Sequence, residues 1–316
     1  MRAIVFTELG GPEVLHLADV PAPEPAAGQV RVRVEAAAVN GWDLKTRAAR
    51  IPGVPLPEFP AVPGLEVAGV VDAVGDDVTG VRPGDRVVGF ADTGGYAELA
   101  LTSTFALVPS GLDPTRAVTL PVSAETAHRV LRVLGVADGE TLLVHGASGS
   151  VGELAVQLAR RRGTTVIGTA SPANQDRVAA LGATPTTYGP GLVERVRDLA
   201  PSGVDAVLDT TGAGVLPDSI TLRGGTERIV TIADPAAADL AITFSSGARR
   251  DPDELADDVT SLARGELTTT LGEVLRLDDA ARAHALVEGG RGGGKVVLTP
   301  HPSHHATSLV RGLSSA

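Results

Sequence analysis

The sequence predicts an α/β protein of two domains, a β-rich module and a doubly wound parallel sheet. Three observations predict it. Residues 1–110 carry short strand-like runs punctuated by glycine and proline. From about Leu112 to Phe244, apolar runs of strand length alternate with helix-patterned ones. Thr141–Gly152 reads TLLVHGASGSVG, and ELAVQLARRRG follows at once, giving strand, glycine turn and amphipathic helix. A chain of 316 residues suits two domains.

Taken in order, Ala3–Phe6 is strand-like and Val14–Val20 alternates weakly. Pro21-Ala22-Pro23-Glu24-Pro25 is an extended connector, because each proline fixes its own φ and turns its predecessor away from helix. Val30, Val32 and Val34 alternate with Arg31, Arg33 and Glu35, a half-buried strand, and Val67–Val74 and Arg86–Gly89 continue the pattern. Turns fall at Gly75-Asp76-Asp77 and Arg82-Pro83-Gly84-Asp85. This spacing predicts a compact barrel-like module. Thr115–Leu134 then reads as one helix. Leu142-Leu143-Val144 is a buried strand, and Leu154, Ala155, Leu158 and Ala159 repeat at helical spacing behind it. Thr164–Thr169, Val204–Asp209 and Arg228–Ile232 are further strands. Ala173–Leu181, Leu192–Leu199 and Leu216–Leu222 are the helices expected among them. Beyond Phe244 the texture reverts, with helices near Asp253–Arg264 and Leu277–Glu288 and a terminal strand Lys295–Leu298. Gly289–Gly294 predicts a mobile loop and His301–Ala316 a loosely held tail. There is no internal repeat.

Composition removes several function classes. With 43% hydrophobic residues the chain can bury ordinary cores, and with only 3% aromatics those cores are built from Ala, Val and Leu. A net charge of −11 with no basic stripe argues against nucleic acid or an anionic membrane as partner. The absence of cysteine removes disulfides, thiolate nucleophiles and cysteine-based zinc sites. Met1–Phe6 runs straight into a strand without signal-peptide architecture, and no run reaches bilayer-spanning length, so a soluble cytoplasmic protein is expected.

Ala147-x-Gly149-x-x-Gly152 has the spacing of a dinucleotide fingerprint whose first glycine is alanine, with Gly146 just before it. One small residue lets the chain turn off the strand, and one lets backbone N–H groups approach a pyrophosphate. Gly152 lets the helix pack on the sheet. Ser148, Ser150 and Val151 complete a turn whose helix start offers unpaired N–H donors to phosphate. A tight turn with no ligand is the other reading; the order strand, turn, helix favours the cofactor.

With the whole order in view, the chain resembles the medium-chain dehydrogenase/reductase superfamily, in its zinc-free quinone oxidoreductase branch. The likeness runs from residue 1 to about 300. It rests on GGPEVL at 10–15, AAAVNGWDLKTR at 36–47, PGLEVAGVV at 63–71 and VRPGDRVVG at 81–89. GGYAEL at 94–99, HGASGSVG at 145–152, LGA at 181–183 and GKVVL at 294–298 complete it. The resemblance implies a GroES-like catalytic domain from residues 1–113 and 248–316, a Rossmann domain from 114–247, and a homodimer paired through the edge of the nucleotide-domain sheet. Zinc-dependent relatives supply ligands from Cys-Gly-x-Asp and Gly-His-Glu stretches. The matching positions here read Asn40-Gly41-Trp42-Asp43 and Gly64-Leu65-Glu66, an amide and an alkyl group unsuited to tetrahedral zinc. No metal is expected. The chemistry left is hydride transfer to an electrophile already activated by conjugation.

Counting on from Gly149 reaches Thr169-Ala170-Ser171 with no acid to hold a ribose 2′-hydroxyl. Ser171, Asn174 and Arg177 suit a 2′-phosphate instead, so NADPH is expected; a solvated helix face is the other reading of Arg177. By resemblance Tyr188 lies near the adenosine ribose, Thr126 beside the nicotinamide carboxamide, and Asn40 near the nicotinamide ring. Asn40 orients the ring or a substrate carbonyl, or else simply caps the turn. Asp43 fixes the loop. Lys45 either binds an enolate and donates a proton or faces solvent, and Trp42 is a pocket wall or core. His145 reads as a packed imidazole, His128 as an outward helix residue, and His301, His304 and His305 as incidental. Ile51–Phe59 and the residues around Phe244 shape the pocket. The reading is an NADPH-dependent reductase of a quinone or α,β-unsaturated carbonyl. Its alternatives are a biosynthetic, polyketide-type enoyl or ketone reductase and a non-catalytic NADPH-binding sensor.

Overall fold

A computed structural model describes residues 1–49, 55–247 and 249–300, and in it the chain forms two compact units. The first takes residues 1–122, 252–264 and the chain from Thr270; the second takes 123–251 and 265–269. The first boundary falls later than the expected 113, because the short helix after it packs on strands of the first unit.

The first unit opens with β1 (Arg2–Val5) antiparallel to β2 (His16–Asp19). Its central strand is β3 (Val30–Ala38), which buries Val30, Val32, Val34 and Ala36 and leaves Arg33 exposed. Branched side chains suit that pleated, one-sided surface. After α1 (Gly41–Arg47) come β4 (Glu66–Val74), β5 (Arg86–Phe90), β6 (Leu99–Thr102) and β7 (Thr104–Leu107). Then α2 (Pro114–Ala117) is capped by Asp113, which accepts from Thr115 N–H at 2.8 Å.

Into the second unit runs α3 (Pro121–Leu134). The single helix expected over 115–134 is therefore two. Pro121 has no N–H to donate and disfavours helix at Leu120, so the chain starts again there. There follow β8 (Thr141–His145), α4 (Ser150–Arg161), β9 (Thr165–Ala170), α5 (Gln175–Ala180) and β10 (Thr184–Thr187). Next are α6 (Leu192–Leu199), β11 (Ala206–Asp209), α7 (Leu216–Arg223), β12 (Ile229–Thr231) and β13 (Thr243–Phe244). The sheet is parallel throughout, in the order β10-β9-β8-β11-β12-β13. This is the doubly wound order. It reverses between β8 and β11, where the carboxyl ends of the strands open a crevice. The edge strand β10 carries Pro185 among threonines, tolerable only at an edge, and this polarity hid it from the sequence reading.

The chain then returns to the first unit as α8 (Pro252–Ala263), β14 (Leu271–Arg276), α9 (Ala280–Glu288) and β15 (Lys295–Thr299). There β15 pairs parallel with β14 and antiparallel with β3, Val297 opposite Ala38, giving the order β14-β15-β3-β4-β5-β7 with β6 also on β3. The glycine-rich 289–294 segment is hydrogen-bonded: Arg291 N–H reaches Leu286 O at 2.9 Å and Glu273 N–H reaches Gly292 O at 3.1 Å. The histidines of 301–316 lie outside the described residues, as do Ile51–Val54 of the expected pocket loop. Each unit has its own core, around Ile4, Phe6, Val34, Tyr96 and Leu298 in the first and Leu143, Ile167, Val207 and Ile229 in the second. No helix among the described residues is long and apolar enough to cross a membrane.

Candidate active site

In the second unit, β8 ends at His145 and the chain turns through Gly146–Gly149 into α4. Gly146 lies at φ +77°, and a Cβ there would sit 2.5 Å from Thr210 Oγ1. A Cβ on Gly152 would fall 2.1 Å from Gly146 O, so this glycine brings helix and turn together. A Cβ on Gly149 would meet only that same carbonyl, at 3.4 Å, so its outer face is open to an approaching group. The alanine in the fingerprint is explained by its neighbour. Ala147 is fully buried, and a Cβ on Gly168 of β9 would sit 2.7 Å from the Ala147 methyl. The missing side chain has moved one strand across. The N–H groups of Ser150, Val151 and Gly152 are the first of α4 and have no carbonyl in the preceding turn, an arrangement that with the helix dipole suits an anion.

Beside this turn the structure brings together the expected adenosine-side residues. Asn174 Nδ2 donates to Ser171 Oγ at 3.0 Å, just past the end of β9. Arg177 is half-buried, not a solvated helix residue: its guanidinium donates to the Ser148 carbonyl of the turn, and its Nε is buried without an acceptor. Asp176 is exposed. Tyr188 follows β10 and is 57% exposed. Thr126 on α3 is buried beside Glu125, whose carboxylate accepts from Arg129 Nε and Arg249 N–H, each at 2.9 Å. Arg129 also donates to Ser245 Oγ. His128 is half-buried. His145 is buried and pushed down to about 4 by desolvation, its Nε2 3.1 Å from Ser219 Oγ. Since Ser219 Oγ donates to Val215 O at 2.8 Å, it accepts the imidazole proton. His145 is a neutral, packed group.

In the first unit, Asn40 follows β3 and stands before α1, with its carboxamide buried. Asp43 reaches back to accept from Asn40 N–H at 2.8 Å and from Gly64 N–H at 3.2 Å, fixing the turn as half of a capping box. Asn40 Nδ2 donates to Glu66 Oε1 at 2.9 Å and, at 3.4 Å, to Ala38 O. Its Oδ1 accepts from Lys295 Nζ, which also lies 2.8 Å from Glu66 Oε1. The second oxygen of Glu66 accepts from Val122 N–H at 2.7 Å. Trp42 and Lys45 share α1 and are half-buried.

A chain of buried polar groups continues from Asp43. Burial above all pushes its carboxyl up to about 7; Glu66 adds to the shift, while the two N–H donors and Lys295 oppose it. Tyr96 Oη lies 3.5 Å from Asp43 Oδ2 and 3.2 Å from His284 Nε2. Burial, with Arg47 beside it, pushes His284 down to about 3. Arg47 Nη1 can only donate to Nδ1, at 2.8 Å, so the imidazole proton sits on Nε2 and points to Tyr96. Arg47, 1% exposed, ends the chain on Glu288 at 2.6 Å and Gly10 O at 3.1 Å. Gly64, at φ +103°, is needed here because a Cβ would lie 2.5 Å from the Tyr96 ring.

Sequence reasoning missed Lys295, Tyr96, Arg47 and His284. One signal was available: only Lys45 and Lys295, among 27 lysine and arginine residues, are lysine, and Lys295 is the one buried against Glu66. No group of three or more His, Asp or Glu among the described residues is arranged to hold a metal ion.

Residues 26–111 match the alcohol dehydrogenase GroES-like domain family and 181–298 the family described as zinc-binding dehydrogenase. The quinone oxidoreductase of Lama guanicoe is 31% identical over 94% of this chain and 97% of its own. The solved quinone oxidoreductase of Coxiella burnetii superposes with a TM-score of 0.81 at 31% identity, covering 95% of this chain and 99% of its own. A mycobacterial protein solved as its NADPH complex gives 0.82 at 31%, covering 95% and 100%.

Proposed function

The chain belongs to the quinone oxidoreductase branch of the medium-chain dehydrogenase/reductase superfamily and is a nicotinamide-dependent oxidoreductase; on that premise we propose that it uses NADPH to reduce a quinone or α,β-unsaturated carbonyl without zinc. The observation that carries this reading is Arg177. It lies against the phosphate turn with Ser171 and Asn174 at hand, and Thr169-Ala170-Ser171 offers no carboxylate there. A guanidinium at that place favours a 2′-phosphate, and an acid would repel it.

Bound NADPH supplies the hydride. The N–H groups opening α4 would hold the pyrophosphate, and Arg177, Ser171 and Asn174 would hold the 2′-phosphate. When hydride adds to the conjugated carbon, the electron pair moves to the carbonyl oxygen, and the protein must stabilise that charge. Both Asn40 N–H groups are directed at Glu66 and Ala38, so Asn40 orders the site, and the role of stabilising the oxyanion is assigned to the Lys45 ammonium. Lys45 or water then protonates it. Zinc independence rests on the donors. Asn40 offers an amide, Leu65 an alkyl group, and Glu66 is already bound to an ammonium.

The test is oxidation of NADPH, with NADH in parallel, against a panel of quinones and conjugated enones, with zinc content measured on the same preparation. Turnover with NADPH in zinc-free protein is expected. Arg177→Ala should raise Kd for NADPH about tenfold and leave NADH within twofold. Preference for NADH, or activity that follows zinc content, overturns the corresponding part.

A further inference from the structure

The family description carries the word zinc, yet the residues that face one another at this place do not fit that ion. Extending the β15–β3 register by two residues from Val297 opposite Ala38 brings Lys295 level with Asn40. The β3–β4 register, Ala37 opposite Val67, brings Glu66 to the same end. Three adjacent strands therefore deliver an amide, a carboxylate and an ammonium to one buried point, each exposed by 7% or less. Lys295 Nζ is 2.8 Å from Glu66 Oε1 and hydrogen-bonded to Asn40 Oδ1, and Asn40 Nδ2 is 2.9 Å from the same Glu66 oxygen.

A carboxamide has a donor end and an acceptor end that are nearly equal in shape, so packing alone orients it poorly. Here its acceptor end meets a cation and its donor end an anion. Flipping the amide would set NH2 against ammonium and C=O against carboxylate, a reversal in a buried site where such contacts are strongly felt. We propose that Lys295 is a positioning residue for the reductase reaction. Its ammonium fixes the Asn40 carboxamide, and with it the turn that leads to Lys45. The kinetic part of this inference rests on the proposed reductase activity; the structural part does not.

The variants are Lys295→Met and the charge-neutral pair Lys295→Met with Glu66→Gln. The sequence contains two asparagines, Asn40 and Asn174, so protein labelled with 15N at the asparagine side chain shows two NH2 pairs, and Asn174 serves as internal control. In both variants the Asn40 pair should shift or broaden while the Asn174 pair stays. In quinone reduction kcat should fall about ten- to a hundredfold, with KM for NADPH within twofold. If Lys295→Met fails to fold, the neutral pair leaves no uncompensated carboxylate and carries the test: thermal stability should return toward wild type while kcat stays low. An unmoved Asn40 pair, or kcat recovering together with stability in the double variant, overturns the proposal. Should the wild type reduce no acceptor, the reductase reading has failed, and the Asn40 resonances still decide the role of Lys295.

Discussion

The two polar centres of this protein are built in opposite ways. The glycine turn takes residues 145–152 in succession, and the atoms it presents are backbone N–H groups made accessible by small residues. The Asn40 centre gathers side chains from positions 40, 43, 47, 66, 96, 284, 288 and 295, and its working atoms are charges satisfied by one another. A site made of backbone is sensitive to added volume, whereas a site made of buried charge is sensitive to the loss of a partner.

The largest effect tests the first half of that contrast. In Gly152→Ala the new methyl would meet a backbone carbonyl at 2.1 Å and the Ala147 Cα at 2.9 Å, and neither can swing away. We expect a loss on the order of 5 kcal/mol, with no thermal shift by NADPH. Gly149→Ala is the companion, because its methyl finds only a 3.4 Å contact and its φ of −81° suits alanine. That variant should fold as the wild type yet bind NADPH at least tenfold more weakly. Calorimetry and titration of both separate the packing glycine from the ligand-facing one; equal effects would erase the distinction.

Next is Arg47→Met, for the buried ionic centre. The change keeps much of the volume and leaves Glu288 without its cation and Gly10 O and His284 Nδ1 without their donor. The cost should be about 3–4 kcal/mol by chemical denaturation, with little dependence on salt because the guanidinium is buried.

How far each centre could be read beforehand follows from the same contrast. The turn, its helix and the missing acid after β9 are local in sequence, and residue order sufficed to place Ser171, Asn174 and Arg177 near one another. Asn40 and Leu65 were visible as departures from a metal-binding pattern, with Glu66 beside them. Lys295 was not, because its meaning depends on β15 pairing with β3 across more than 250 residues, which periodicity cannot show. The break at Pro121 was available in the residues and was read through. Strands β10 and β14 were missed because their faces are polar or half-exposed, so the alternation that marks a strand is weak.

A third effect comes from protons. The Asp43 carboxyl stands at about 7 in the folded protein against an ordinary 3.8, so between those values the folded state binds more protons than the unfolded one. Stability from this group is full below pH 3.8 and is lost as pH rises through about 7. His145 and His284, at about 4 and 3, act the other way. Their contribution is present above pH 6.5 and is lost as pH falls through their folded values. The difference in stability between wild type and Asp43→Asn isolates the carboxyl. It should change by roughly 2 kcal/mol from pH 5 to pH 7, in the sense that the wild type loses its advantage as pH rises. A difference constant with pH would mean that Asp43 stays ionised and that burial does not govern this centre.

The smallest effect tests whether burial, not ionic pairing as such, sets the scale. Arg228 and Glu140 form a two-pronged pair in the second unit, both contacts at 2.7 Å, and Arg228 also donates to the carbonyls of Leu134 and Gly135. The chemistry matches that of Arg47 with Glu288, but the side chains are 29% and 25% exposed, against 1% for Arg47. The Arg228 hydrogen bond holds Glu140 down at about 2, so the pair persists until strongly acidic pH and then dissolves as pH falls through that value. Arg228→Ala should cost about 1 kcal/mol, diminishing as salt is raised. Arg228→Gly should cost less, although glycine is the poorer residue elsewhere, because Arg228 sits at φ +57°, where alanine remains strained and glycine does not. Denaturant titrations at low and high salt measure both. If Arg228→Ala proves as costly and as salt-insensitive as Arg47→Met, exposure does not separate the two pairs, and the account of the Asn40 centre as a site governed by burial loses its basis.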